Sequence, residues 1–367
     1  MSEKIDKADD PETSDKTRAQ YESFPYPARD AKDEDKRLVV GSPGNWDEVV
    51  HFVFGGRDPS AKNKKIRILV AGGGTGDGLV MLAQQARDRK VKAEIVYIDL
   101  STASREIAEA RIKRRGLEKN VSFVTGSFVD LAGEYGPFDY IDCCGVLHHL
   151  PDPDAGLKAL ADALKPKGGM GLMVYGELGR TGVYHMQEMM DRAYRVDVVF
   201  DFVEKAGLRL LQFIEPMRYD PTTYCSRHDV LEKAVHVPFR QRAALAELMA
   251  GNITKHTFYV TKAGNKVKPP MPDRDAVPFF VRVDGVSLAR SVAKTGHIKI
   301  TFTGLSLTRN LPPASPAILT RIDGKRTVGE IYDLFDPKPE KYEFDAQFAV
   351  MYAVLNAANL MYLHPAT

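Results

Sequence analysis

Apolar positions change rhythm along this chain, and the changes mark its organisation. Residues 1–18 hold almost no apolar side chains and are expected to be disordered. Tyr21, Phe24 and Tyr26 follow, interleaved with Pro25 and Pro27. Two prolines forbid a regular element, yet three aromatic rings are too apolar for idle exposure. The segment is expected either to pack on a core or to form a lid over a ligand. A helix is expected from Trp46 to Phe54, stopped by Gly55-Gly56. From Ile66 onward short apolar runs alternate with stretches of helical period. Strands are expected at Ile66–Ala71, Ala93–Ile98, Val121–Thr125, Phe138–Cys144 and Met170–Tyr175. Helices fall between them at Leu79–Ala86, Ser101–Arg115 and Asp154–Leu164, the last stopped by Lys165-Pro-Lys-Gly-Gly169. Further helices are read at Met186–Tyr194, Asp197–Ala206 and Arg240–Met249. Strands are read at Leu208–Ile214 and Thr254–Thr261, the last not necessarily parallel. Such alternation means a doubly wound, mostly parallel α/β sheet covered on both faces.

The alternation ends at Asn265-Lys-Val-Lys-Pro-Pro-Met-Pro, a polar, proline-rich linker. Beyond it, short strands at Phe279–Val283 and His297–Phe302 and helices at Ser315–Arg321, Val328–Phe335 and Asp345–Asn359 suggest a small α+β domain. The expected division is an arm at 19–60, an α/β domain at 61–264, a linker at 265–277 and a second domain at 278–367. The chain of 367 residues carries a formal net charge of +2, which argues against a duplex-wrapping protein. The basic runs Lys62–Arg67 and Arg111–Arg115 read more simply as solvated faces than as an RNA site, so a nucleic-acid partner is not expected. Three cysteines in no CxxC spacing exclude a disulfide framework and offer no metal site. With no signal-like or membrane-length apolar run, a cytoplasmic protein with no membrane partner is expected.

Chemistry concentrates where the first strand turns into the first helix, at Leu69-Val-Ala-Gly-Gly-Gly-Thr-Gly-Asp-Gly78. Glycines let the backbone approach a ligand and adopt positive φ. A second strand ending in Asp99 places an acid where such units grip ribose hydroxyls. The dinucleotide spacing GxGxxG fails, because its third glycine falls on Asp77 or Leu79. Gly72, Gly74 and Gly76 give GxGxG instead.

Residues 66–175 therefore resemble the class I, Rossmann-like S-adenosylmethionine-dependent methyltransferases. The likeness runs through the glycine loop, Asp99, Val124-Thr-Gly-Ser-Phe128, Phe138-Asp-Tyr-Ile-Asp-Cys-Cys-Gly-Val-Leu-His-His-Leu150 and Leu164-Lys-Pro-Lys-Gly-Gly169. It implies S-adenosyl-L-methionine as cofactor, with Gly72, Gly73, Gly74 and Gly76 under its methionine and ribose. It further implies Asp99 on the ribose, Leu100 against the adenine, Ser127 and Phe128 at the adenine edge, and Cys144 and Gly145 beside the methyl group. Two departures stand out: Ser127 replaces a frequent aspartate, and Val70 replaces a frequent acid beside the loop. The Tyr21–Pro27 segment resembles an N-terminal arm that folds over the cofactor, with Tyr21 and Tyr26 excluding water. His148 or His149 is a candidate base, although a histidine pair here equally orders the loop. Glu177, Arg180 and Tyr184, after the fifth strand, could bind acceptor, or the first two could form a loop ion pair. Pro313–Ile331, with its Ile322-Asp-Gly and Glu330-Ile elements, resembles winged-helix modules related to peptide-chaperone domains, one of which occurs in bacterial protein-lysine methyltransferases. A protein or peptide acceptor, lysine first, is the leading expectation. A small-molecule N- or O-methyltransferase, whose second domain only closes the pocket or forms a homodimer, and a non-catalytic cofactor-binding scaffold are the alternatives.

Overall fold

In the computed structural model, residues 19, 22–61, 64–180, 192–225, 227, 232–233 and 236–365 are described. Tyr21, Tyr184 and most of the expected helix at 186–194 lie outside them. The chain separates into two compact units that are not contiguous in sequence. One takes in residues 1–49, 59–211 and 253–266; the other takes in 50–58, 212–252 and 267–367. The second unit thus includes stretches that the hydropathy pattern alone assigns to the arm and to the α/β domain.

The first unit is built as strand–helix repeats. β1 (Ile66–Ala71) leads to α1 (Asp77–Asp88), β2 (Ala93–Asp99) to α2 (Thr102–Arg114), and β3 (Val121–Thr125) to α3 (Phe128–Tyr135). β4 (Phe138–Cys144) is followed by α4 (Pro153–Asp162), β5 (Leu164–Tyr175), α5 (Val196–Lys205), β6 (Leu208–Phe213) and β7 (Lys255–Lys262). The seven strands run in the order β3-β2-β1-β4-β5-β7-β6. β1 to β5 pair in parallel, whereas β7 runs antiparallel to β5. Burial on both faces explains the near-continuous apolar runs: β1 and β4 expose almost nothing. The order reverses beside β1, so a crevice opens outside the carboxyl ends of β1 and β4, where ligands of open α/β sheets bind.

Three helices of this unit start on a polar side-chain cap. Ser101 Oγ accepts from the Ser104 amide at α2, Ser127 Oγ from Val129 at α3, and the Asp152 carboxylate from Ala155 at α4. Such caps satisfy amides that the helix itself leaves unpaired. β5 begins earlier than the Lys165–Gly169 pattern suggests. The register jumps from Phe138 opposite Leu164 to Tyr140 opposite Gly169, and a bulge absorbs the intervening Lys-Pro-Lys-Gly.

The second unit contains α6 (Phe239–Ala250), β8 (Ala276–Phe280), α7 (Gly285–Thr295), a hairpin of β9 (His297–Phe302) and β10 (Leu305–Asn310), α8 (Ser315–Leu319), α9 (Val328–Asp333), α10 (Lys341–Ala357) and β11 (Met361–Pro365). β8 pairs antiparallel with β11, and β9 with β10, in two separate two-stranded sheets. Ile318, Ile331, Phe344, Phe348, Met351 and Leu355 are the centre of its core. Thr327 and Glu330 form a reciprocal capping box at α9. Among the described residues no helix is long and apolar enough to cross a membrane.

Candidate functional site

The loop after β1 is held in shape from below. Tyr97 of β2 lies under it: its hydroxyl donates to the Gly74 carbonyl at 2.6 Å, and its ring occupies the space that a Cβ on Gly73 would need. Gly72, Gly74 and Gly76 all take positive φ. Two residues beyond Tyr97, on the same face of the strand, Asp99 turns its carboxylate to the loop. Oδ2 accepts from the Gly74 amide at 2.7 Å and Oδ1 from the Ser101 amide at 2.9 Å. Burial pushes this carboxyl up, the two backbone amides pull it down, and Glu22 nearby raises it again. A carboxylate has about four acceptor positions. Two are used here, which leaves room for a pair of hydroxyl donors.

An N-terminal segment lies on the same loop. The Tyr26 carbonyl sits 2.8 Å from where a Cβ on Gly74 would stand, and Thr75 Oγ1 donates to the Pro27 carbonyl at 2.7 Å. The Tyr26 side chain itself is exposed. The Glu22 carboxylate accepts from the amides of Thr102 and Ala103, at the positive end of α2. Further along, Arg29 pairs bidentately with Asp77. The fully buried Arg111 of α2 donates to Asp77, to the Thr75 carbonyl and to Glu34. Arg115 also grips Glu34. Burial raises Asp77, but hydrogen bonds from Arg29 and Arg111 outweigh it and hold the carboxyl below its ordinary value.

At the end of β4, Cys144 is exposed and Gly145 takes φ +78°. Val146 packs against the Cα of Gly72. Ser127 caps α3, and the Phe128 side chain is buried in the core rather than open to the crevice. His148 is 1% exposed, packs at a tilt against Tyr175 at 3.9 Å and His149 at 4.3 Å between ring centres, and makes no hydrogen bond through either ring nitrogen. Burial, then the His149 and Arg180 charges, depress it to about 3. The Arg180 guanidinium covers the other ring, Tyr175, at 3.6 Å. Glu177 donates its amide to the Tyr194 carbonyl and accepts at its own carbonyl from the Arg180 amide. The structure thus brings Gly72–Gly76, Asp99 and the Tyr26 backbone together, and groups His148, His149 and Arg180 around Tyr175. Among the described residues no group of three or more His, Cys, Asp or Glu could hold a metal.

Sequence reasoning missed Tyr97, Glu22 and Asp142, and the solvated basic face expected at Arg111–Arg115 fails at Arg111, which is buried against Glu34 and Asp77. Asp142 had a signal, being a carboxylate inside an otherwise apolar strand.

A seven-stranded sheet of this order, with a glycine loop after its first strand and a ribose-competent acid after its second, defines a Rossmann-like nucleoside-binding domain. A sequence profile described as a methyltransferase domain matches residues 68–168. An uncharacterized protein of Synechococcus sp. is 37% identical over 175 residues, covering 46% of this chain and 39% of that protein. The ubiquinone/menaquinone biosynthesis C-methyltransferase UbiE of Idiomarina loihiensis is 29% identical over 111 residues, covering 30% of this chain and 43% of the relative. The chain thus spans about two fifths of the length of these curated relatives. PKMT2 from Rickettsia typhi, solved with AdoHcy, shares the fold at TM-score 0.62 and 13% identity, covering 88% of this chain and 76% of that one. Residues 68–168 thus match a methyltransferase domain, carried on a fold that the AdoHcy-bound PKMT2 shares.

Proposed function

We propose that the chain transfers the methyl group of S-adenosylmethionine to a protein or peptide side chain, lysine first. The bound cofactor supplies an electrophilic methyl on a sulfonium, so the protein has to orient, desolvate and deprotonate rather than form a covalent intermediate. Orientation of this kind contributes roughly 7–11 kcal/mol to lowering a barrier. In this reading Gly72–Gly76 and Asp99 hold the nucleoside, Leu100 lies on the adenine, and Ser127 borders its edge, while Phe128, expected there from sequence, is taken up by the core. Cys144 and Gly145 line the methyl side, and the arm covers the glycine loop through its Tyr26 and Pro27 carbonyls, its Tyr26 ring remaining exposed. The cluster of His148, His149, Tyr175 and Arg180, with Glu177, forms the acceptor side. His148 is neutral at pH 7 because burial disfavours its charged form. It suits accepting a hydrogen bond from the nucleophile better than storing a proton.

The observation that supports a protein acceptor is the second unit. It has its own core, and its strands form two separate two-stranded sheets whose outer edges could take an added peptide strand. The likeness to winged-helix modules of peptide-modifying systems agrees with that use. A small-molecule acceptor is the second reading, favoured by the match of the first unit to UbiE. Incubating the full chain with methyl-labelled cofactor and cell extract separates the two. Label in protein bands supports the first reading, and label only in the low-mass fraction supports the second. No transfer to any fraction, by protein that binds cofactor, would leave a scaffold.

A further inference from the structure

Asp142 lies in the middle of β4, 3% exposed, and its Oδ1 has no hydrogen-bond partner. In register it stands beside Val70 of β1, and Val70 in turn stands beside Tyr97 of β2. Register partners project on one face of a sheet, so Asp142 shares the face on which Tyr97 and Asp99 meet the glycine loop. Two glycines cover it. A Cβ on Gly78, in the first turn of α1, would stand 2.5 Å from Oδ2, and one on Gly44 would stand 3.4 Å from Oδ1. A buried carboxyl without a partner is costly to ionise. Burial raises its pKa to about 7. The ionisable groups around it are acidic: Tyr140, Cys143 and Cys144 on its own strand, Glu48 beside Tyr140, and Asp77 of α1, which Arg29 and Arg111 already engage. Lys255 of β7 lies towards Cys144, and among the described residues no cation pairs with Asp142. Asp142 thus offers a buried, unpartnered acceptor oxygen beside the glycine loop.

We propose that Asp142 is the carboxylate that holds the α-ammonium of the cofactor's methionine moiety, taking over from the acid that Val70 replaces. The inference rests on the cofactor assignment above, and it divides the cofactor between two acids: Asp99 for the ribose and Asp142 for the amino-acid end. Below pH 7, binding then converts a largely protonated carboxyl into a carboxylate paired with an ammonium, and the displaced proton passes to buffer.

Calorimetric titration of the full chain tests this with two ligands. S-Adenosylhomocysteine carries the ammonium; 5′-deoxy-5′-methylthioadenosine has the nucleoside and thioether without the amino acid. Asp142→Asn should weaken S-adenosylhomocysteine at pH 8 by roughly 10–100-fold and leave methylthioadenosine unchanged. Wild-type protein should release close to one proton on binding S-adenosylhomocysteine at pH 6, fewer at pH 8.5, and none with methylthioadenosine. The proton count needs no variant, so it stands even if Asp142→Asn folds poorly. Equal loss for both ligands, no loss for either, or the same proton count for both would overturn the role of Asp142 while leaving cofactor binding intact. Wild-type protein that binds neither ligand would overturn the cofactor assignment and this inference with it.

Discussion

The two oxygens of Asp99 brace the loop through the Gly74 and Ser101 amides and keep acceptor capacity for the ribose hydroxyls proposed above. Charge-assisted hydrogen bonds of this sort contribute about 1.5–3 kcal/mol. Asp99→Ala should therefore weaken S-adenosylhomocysteine by ~10–100-fold, read by calorimetry, with far less change in melting temperature. His148 gives a different kind of prediction. Burial holds its pKa near 3 when folded, against an ordinary value of about 6.5. Between those values the unfolded chain binds the proton and the folded chain does not. Its contribution to stability is thus complete above about pH 6.5 and is lost as the pH falls from there towards 3. His51, stacked on Tyr362 and depressed to about 4, works in the same direction. Neither ring nitrogen of His148 makes a hydrogen bond, so His148→Phe keeps the packing against Tyr175 and removes the titration. The drop in thermal midpoint between pH 7.5 and 5.5 should shrink in that variant. An undiminished drop would mean that the ring protonates in the folded state.

Among the elements, the glycine loop and the arm depend on packing that no local pattern shows. Gly73 has an ordinary φ, yet its Cα rests on the Tyr97 ring. Gly73→Ala should lower cofactor affinity at least tenfold, and Tyr97→Ala in the same chain should recover part of it by removing the clash, although it also frees the Gly74 carbonyl. The arm is fixed by Glu34, which lies buried between Arg111 and Arg115. Removing one member of a buried ionic group leaves uncompensated charge and costs about 3–5 kcal/mol. Glu34→Ala should lower the urea midpoint accordingly and speed hydrogen exchange at residues 31–37. How far such features were legible follows from their range. β1 to β4 and the caps of α2 and α4 are local, and apolar runs with neighbouring Ser and Asp predict them within a residue or two. Gly72–Gly76 and Asp99 are legible for the same reason, since one strand–turn–strand unit contains both. Asp142, Tyr97, Glu22 and Arg111 acquire meaning only when distant segments meet. α7 lies outside the expected elements although Asp284 caps it, Gly296 ends it and its apolar residues share one face. β5 was begun late because a proline and two glycines imitate a stop, where the chain in fact forms a bulge.

At the scale of the whole molecule, chemistry and acceptor choice are assigned to different units, and this separation is what a substitution can test. The first unit contains every residue proposed to hold the cofactor. The second has an independent apolar core in which Phe348 is fully buried, packed near Phe344 and Tyr352. Truncating a buried phenylalanine to alanine costs about 3–5 kcal/mol through lost transfer energy and the cavity left behind. That is a large fraction of the stability of a unit this size. Phe348→Ala should therefore loosen the second unit, seen as faster hydrogen exchange across α8 to α10. If that unit recruits a protein acceptor, the variant should bind S-adenosylhomocysteine within about twofold of wild type, since no proposed cofactor contact is touched. It should lose most labelling of protein in extract. Retained labelling alongside a loosened second unit would move acceptor recognition into the first unit, where the cluster around Tyr175 would have to select the substrate alone.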